Sequence, residues 1–368
     1  MFAVNGLALG SWLPRLPEVR DQLDVGDAAL GLTLLGAGVG GLAMSLAAGR
    51  IVDRIGSRRA MVSTSIALAL LLPGIAWAPS PGVLFGVLVA IGAVDGVTDV
   101  AQNSQALELQ RHRQRSLLSR MHAAWSVGSL TGGVVASRAA AANVSLGTHL
   151  TVTAGGLALA CLLAAPHLLP DETRAETRAA AADGRSARIG LLGLLFGVGV
   201  ISVLTENPPM EWASLLVSQR FDVATGTAGL GFVAFTAGMV AGRLSGDRVV
   251  DRIGPEGTRR CGAATAAVGI ACIAVSPGLS LALAGFVLAG VGASSQFPMA
   301  VRRAGELVAG SRGVARFSAG TRAGMLVGSP VMGVLSAATS RTTALVLVAG
   351  TAAVIAALLR LPDVPSSD

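Results

Sequence analysis

Asp95, Asp99 and Asn103 stand at i, i+4 and i+8 in the run Val94-Asp-Gly-Val-Thr-Asp-Val-Ala-Gln-Asn103. On a helix that spacing brings all three side chains to one face. The stretch that holds them, 83–106, is otherwise apolar and long enough to cross a bilayer. A charged side chain there costs about 3 kcal/mol or more, so it faces a cavity or a partner. Two readings of Asp99 stay open. It is a proton carrier or substrate contact, or it is a structural partner of Arg322 or His122.

Other polar groups within apolar stretches extend the set. His122 and Trp125 open the stretch 117–137 in Met121-His-Ala-Ala-Trp125. At a rise of about 1.5 Å per residue His122 lies level with Asp99, so the two are expected to meet. Trp125, one turn on, lines a cavity or simply packs. Thr205-Glu206-Asn207-Pro208-Pro209-Met210-Glu211-Trp212 places two carboxylates around a proline pair that is expected to break its helix. Glu206 is the stronger site candidate. Glu211 and Trp212 read as an outer interfacial belt. Arg322 is the one basic residue expected inside a span, where it binds an oxygen-rich substrate or neutralises Asp95 or Asp99. Asn5 and Gln296 are weaker candidates for the cavity wall, since amides also pair between helices.

Of the whole chain, 52% is hydrophobic and 13% charged, with a mean hydropathy of +0.66. Uncharged runs such as 60–78 and 342–359 are of membrane length. Twelve spans are expected, near 1–14, 28–48, 60–78, 83–106, 117–137, 147–168, 189–208, 224–246, 261–277, 280–301, 314–337 and 342–360. The first is short: fourteen residues cover roughly 21 Å of a core about 30 Å thick. Either it thins the bilayer, or the helix begins upstream of Met1; the second is expected. All 28 basic residues are Arg, and 22 fall at 50–59, 111–120, 174–188, 243–260, 302–316 and 360. That bias puts those alternate loops, and both termini, in the cytoplasm.

Sequence matches recur at an offset of about 200 residues. Gly49-Arg-Ile-Val-Asp53-Arg54-Ile-Gly56 returns as Gly246-Asp-Arg-Val-Val-Asp251-Arg252-Ile-Gly254, Val127-Gly-Ser129 as Val327-Gly-Ser329, and Trp12 as Trp212. Two similar halves are expected, 1–168 and 189–368, joined by a polar cytoplasmic linker at 169–188. Parallel repeats of this kind suit a secondary transporter with a central site.

Gly49-x3-Asp53-Arg54-x-Gly56-x-Arg58-Arg59 resembles the signature loop of the major facilitator superfamily, with a looser copy at 246–260. The resemblance covers the whole chain and implies its all-α membrane fold of two pseudo-symmetric six-helix halves. The loop, with Gly49, Asp53, Arg54, Gly56, Arg58 and Arg59, and with Asp251, Arg252 and Gly254 in the copy, is expected to latch the cytoplasmic side in one state. Asp99-Val-Ala-x-Asn103 is similar to an acidic motif of the fucose-permease-like branch, which implies proton-coupled movement of a small polar, sugar-like solute. Span 5 lacks the Gly-Pro turn of the superfamily's drug exporters, which leaves drug or metabolite export as the alternative. A non-transporting sensor or interaction protein is the alternative of another class, and the intramembrane charges argue against it.

Three scattered cysteines and four histidines give no disulfide framework and no metal cluster. Neither a phosphate loop nor a nucleophilic triad appears, so no enzyme, cofactor or metal is expected. The net charge of +7 is read as membrane topology rather than nucleic-acid binding. The expected surroundings are a small-molecule substrate, protons and the lipid of an inner membrane, with the chain a monomer.

Overall fold

The computed structural model describes residues 1–113, 118–170, 189–307 and 312–362, which are helical and contain no strand. The expected linker lies largely outside the described residues. A backbone in hydrocarbon has no water to bond, so long apolar runs close their hydrogen bonds within helices. In chain order the helices are α1 (Phe2–Gly10), α2 (Leu16–Leu23), α3 (Asp27–Ile55), α4 (Ser57–Leu71), α5 (Pro73–Trp77), α6 (Pro81–Arg113), α7 (Leu118–Ala141) and α8 (Leu146–Ala164). There follow α9 (Ile189–Glu211), α10 (Ala213–Phe221), α11 (Thr225–Ala228), α12 (Leu230–Val275), α13 (Leu279–Ala293), α14 (Gln296–Leu307), α15 (Arg312–Ala338), α16 (Arg341–Leu345) and α17 (Thr351–Leu358). A π-helical turn, Val346–Gly350, joins the last two.

Among the described residues eight helical stretches are long and apolar enough to cross a membrane: Asp27–Met44, Ser57–Trp77, Pro81–Ala106, Leu146–His167, Ile189–Glu211, Thr225–Val275, Leu279–Ala304 and Arg341–Leu358. The expected first span is a nine-residue helix followed by a 3-10 turn at Leu13–Arg15. Residues 224–246 and 261–277 lie largely on the two arms of α12, which are two helices meeting at a non-helical corner at Gly254 (φ 73°, ψ 169°). In the first motif copy α3 ends on Gly56 (φ 92°, ψ 148°) and α4 starts at once. Both copies thus turn on a glycine in a conformation that side chains rarely adopt. The extra residues in the second copy leave that corner unchanged.

Helix partners follow from small residues. α1 packs on α7, with Gly6 and Gly10 against the backbone of Trp125 and Ser129. α3 packs on α6 through Gly40 and Gly92, and α4 lies against α6 and α8. In the second part α9 packs on α15 through Gly199 and Gly320, and α12 on α13 through Gly238 and Gly290. A methyl group at any of these glycines would run into a carbonyl of the facing helix. Across the middle, α3 meets α15 and α7 meets α12.

That middle seam differs along its length. At the end away from the motif loops Arg341 bonds both oxygens of Asp27, Nε to Oδ2 at 2.8 Å, and also the Leu215 carbonyl at 2.7 Å. Ser336 donates to the same carboxylate. One apolar cluster there takes residues from both sides, including Trp12, Leu16, Leu30, Trp212, Phe232, Met332 and Leu345. Toward the motif end the apolar residues divide into two separate clusters. Ala48, Val52, Ala60, Met61, Val97 and Ala101 form one, and Leu195, Val198, Ala300, Ala304, Phe317 and Leu361 the other.

Candidate functional site

The i, i+4 register on α6 holds. Asp95 and Asp99 occupy one face, and Asn103 Nδ2 donates to Asp99 Oδ1 and to its backbone oxygen, both at 2.9 Å. Asp99 is exposed, and the Arg322 charge from α15 acts on it across the seam. Asp95 is drawn the other way. It accepts from Asn5 Nδ2 at 2.7 Å, while Asn5 Oδ1 accepts from Trp125 Nε1 at 2.8 Å. Asn5 is therefore a link between α1, α6 and α7 whose hydrogen-bonding groups are already engaged. Trp125 both packs and donates.

His122 does not meet Asp99. Its ring stands edge-on to Phe2, with centroids 5.4 Å apart, and so is turned to α1. Helix rise gives depth alone and leaves the rotation of each helix open.

The second carboxylate region also departs from expectation. α9 continues through Pro208 and Pro209 to Glu211. The missing proline donors fall near the helix end, and the Pro208 carbonyl still accepts from Trp212 N at 3.0 Å. Trp212 is 1% exposed and belongs to the shared apolar cluster, not to an interfacial belt. Glu211 accepts from Ser329 on α15 and from Asn207 Nδ2 at 3.2 Å.

Arg243 is the residue of the candidate site that the sequence reading misplaced. Counted with the cytoplasmic loop 243–260, it lies inside α12 and points into the seam, its side chain 12% exposed. Arg243 Nη2 stands 3.5 Å from Glu206 Oε1. Nη1 donates to Ser126 Oγ and, at 3.3 Å, to the His122 carbonyl, both on α7. The guanidinium also lies 5.8 Å from the centre of the Trp125 ring. Its place within the expected span 224–246 was the available signal, outweighed by the run of arginines that follows.

Gln296 is not on the passage. It is fully buried, and its amide donates to the Arg259 carbonyl at 2.8 Å. In the signature loops Gly49, Asp53, Arg54 and Arg59 are exposed, as are Asp251 and Arg252. Arg58 and Arg59 line an open groove with Val62, Ser63, Ile66, Ala165 and Pro170. Among the described residues no group of three or more His, Cys, Asp or Glu is placed to hold a metal.

Between its two ends the central seam therefore gathers four carboxylates, Asp95, Asp99, Glu206 and Glu211, against two guanidinium groups, Arg243 and Arg322. Such a set can bind a polar solute and move protons. Comparison with known proteins agrees in kind. The sequence profile described as Major Facilitator Superfamily matches residues 1–218 and 195–368. An uncharacterized transporter of Sinorhizobium fredii is 31% identical over 97% of this chain and 95% of its own length. Among solved structures, a variant of a nucleoside transporter superposes with a TM-score of 0.78 at 14% identity, covering 96% of both chains. A D-xylose–proton symporter gives 0.74 at 16%, covering 96% of this chain and 95% of its own. These relatives are transporters and not enzymes, and the chain belongs to the major facilitator superfamily.

Proposed function

We propose that the protein is a secondary active transporter that moves a small polar, sugar-like solute by alternating access, driven by the proton gradient. Twelve spans in two similar halves would pack as observed, with α1–α7, α3–α6 and α4–α6 answered by α9–α15 and the two arms of α12 on α13. The arginine bias assigns the motif loops, both termini and the 169–188 linker to the cytoplasm. On that assignment the structure is the inward-facing state, shut outside by Asp27 and Arg341.

The observation that carries proton coupling is the surplus of carboxylates over guanidinium groups in the seam, two of which would stand uncompensated if all were ionised. Proton symport by a structural neighbour of the same fold is in keeping with it. Asp99 is the proposed proton carrier, because it alone among the four is exposed. Asn103 steadies it and Arg322 answers its charge. Export of a drug or metabolite uses the same machinery in the opposite direction, and a transport-direction assay separates the two.

The test is a pair of assays on Asp99→Asn in proteoliposomes. Uptake across a panel of sugars, polyols and nucleosides first identifies the solute. Counterflow exchange should then persist in the variant, since exchange needs no proton release, while pH-driven accumulation falls to background. Equal loss in both, or no loss in accumulation, removes Asp99 from coupling.

A further inference from the structure

We infer that Arg243 is a positioning residue through which the state of Glu206 sets how firmly the two halves dock along the α7–α12 seam. This rests on the transport reading and goes beyond it, since that reading makes Asp99 the carrier and counts Arg243 only as a compensating charge. The geometry is a shared guanidinium. Arg243 grows from α12, yet its closest partners, Ser126 and the His122 carbonyl, belong to α7 in the other half. Only Glu206 lies on its own side, and at 3.5 Å it is held more loosely than a charge-assisted bond at about 2.8 Å. Arg243 Nε is enclosed and has no partner among the described residues. The arrangement has donors to spare and two competing sets of acceptors.

Glu206 and Arg243 are 16% and 12% exposed, so salt screens their attraction little. An ionised Glu206 draws the guanidinium toward α9. Once that charge is cancelled, by a proton from the open side or by a hydroxyl of the solute, the guanidinium settles on α7 and the seam tightens. Its movement is felt further. The Trp125 ring lies beneath it, and Trp125 Nε1 bonds Asn5, which bonds Asp95. A chain of five side chains thus joins a carboxylate of one half to a carboxylate of the other. The titratable groups that face the pair are His122 on α7 and, through Trp125 and Asn5, Asp95 on α6.

The test needs no identified solute. Cysteines carrying spin labels replace Asp21 and Gln219, both exposed at the end away from the motif loops, in full-length protein lacking Cys161, Cys261 and Cys272 and held in lipid nanodiscs. Their distance distribution reports the ratio of far-end-open to far-end-closed molecules. Glu206→Gln should lower that ratio. Arg243→Gln should raise it by about tenfold. The double variant should match Arg243→Gln, because Glu206 acts only through Arg243. A double variant equal to the sum of the two single effects overturns the inference, as does an unchanged ratio in Arg243→Gln. Should Arg243→Gln fail to fold with Glu206 left buried and alone, the double variant is set against Glu206→Gln, and equal ratios overturn it. Loss of transport with this order of effects intact spares the inference while sinking the transport reading. Preserved transport without that order does the reverse.

Discussion

The two ends of the central seam are built from the same helices and hold together in different ways. Away from the motif loops both halves share one apolar cluster, and a bidentate Asp27–Arg341 pair, 11% and 4% exposed, crosses it. At the motif end each half keeps its own small cluster, and the charged residues Asp53, Arg54, Asp251 and Arg252 stand exposed. The lesson is that one end is a core and the other is two surfaces. A core resists opening through lost burial and desolvated charge. Two surfaces close only if something new bonds across them, which is what a charged loop can supply.

The severest way to break the contrast is to prevent the tight end from closing. A Cβ on Gly31 would strike the Ser329 carbonyl and the Gly333 backbone of α15. Gly31→Val should therefore hold the far end ajar and cut uptake to about a tenth or less, since such overpacking costs about 1–3 kcal/mol. Uptake in proteoliposomes checks this, and near-normal rates would mean that α3 and α15 can part without harm. On stability rather than uptake the largest effect belongs to Arg341→Ala, which leaves Asp27 in the seam without its cation. A loss of about 3–5 kcal/mol is expected for breaking such a pair, and Asp27→Ala with Arg341→Ala should recover much of it in thermal unfolding. Failure of the double variant to recover would show that Arg341 matters through Leu215 instead.

The smallest effect on stability belongs to the open end. Asp53→Ala should leave unfolding unchanged within about 0.5 kcal/mol, as befits an exposed residue. Turnover should nonetheless fall while binding of the solute is kept, because the loop would act in closing the cytoplasmic side. Wild-type turnover in this variant would remove the latch and leave the motif with the task of making a corner.

How much of this was legible follows the physics of each signal. Apolar length and the signature loop gave the family and most of the helices, since both are written locally along the chain. The α6 register of Asp95, Asp99 and Asn103 was also legible, because helical spacing alone determines a shared face. The rotation of α7 was not, so His122 was assigned to Asp99 while it lies against Phe2. Arg243 and the arginines that follow are chemically alike and share α12, and only the face each occupies tells the enclosed Arg243 from the exposed Arg248 and Arg252. Trp212 was read as interfacial from its place near a span end, whereas packing of α10 against α12 and α2 encloses it. Depth and composition are one-dimensional quantities, and each of these errors concerns an angle around a helix or a neighbour from the other half.

Gly254 at the second corner has no atom within 4 Å of where a Cβ would stand, yet its φ of 73° is one that L-residues seldom take. What keeps a side chain out is handedness and not space. A protein assembled with D-alanine at this position would meet the corner's dihedral angles without backbone strain, whereas L-alanine would bend the corner. The join between the two arms of α12 is in that sense a chiral element, specified by the mirror-image preference of one residue and indifferent to its size.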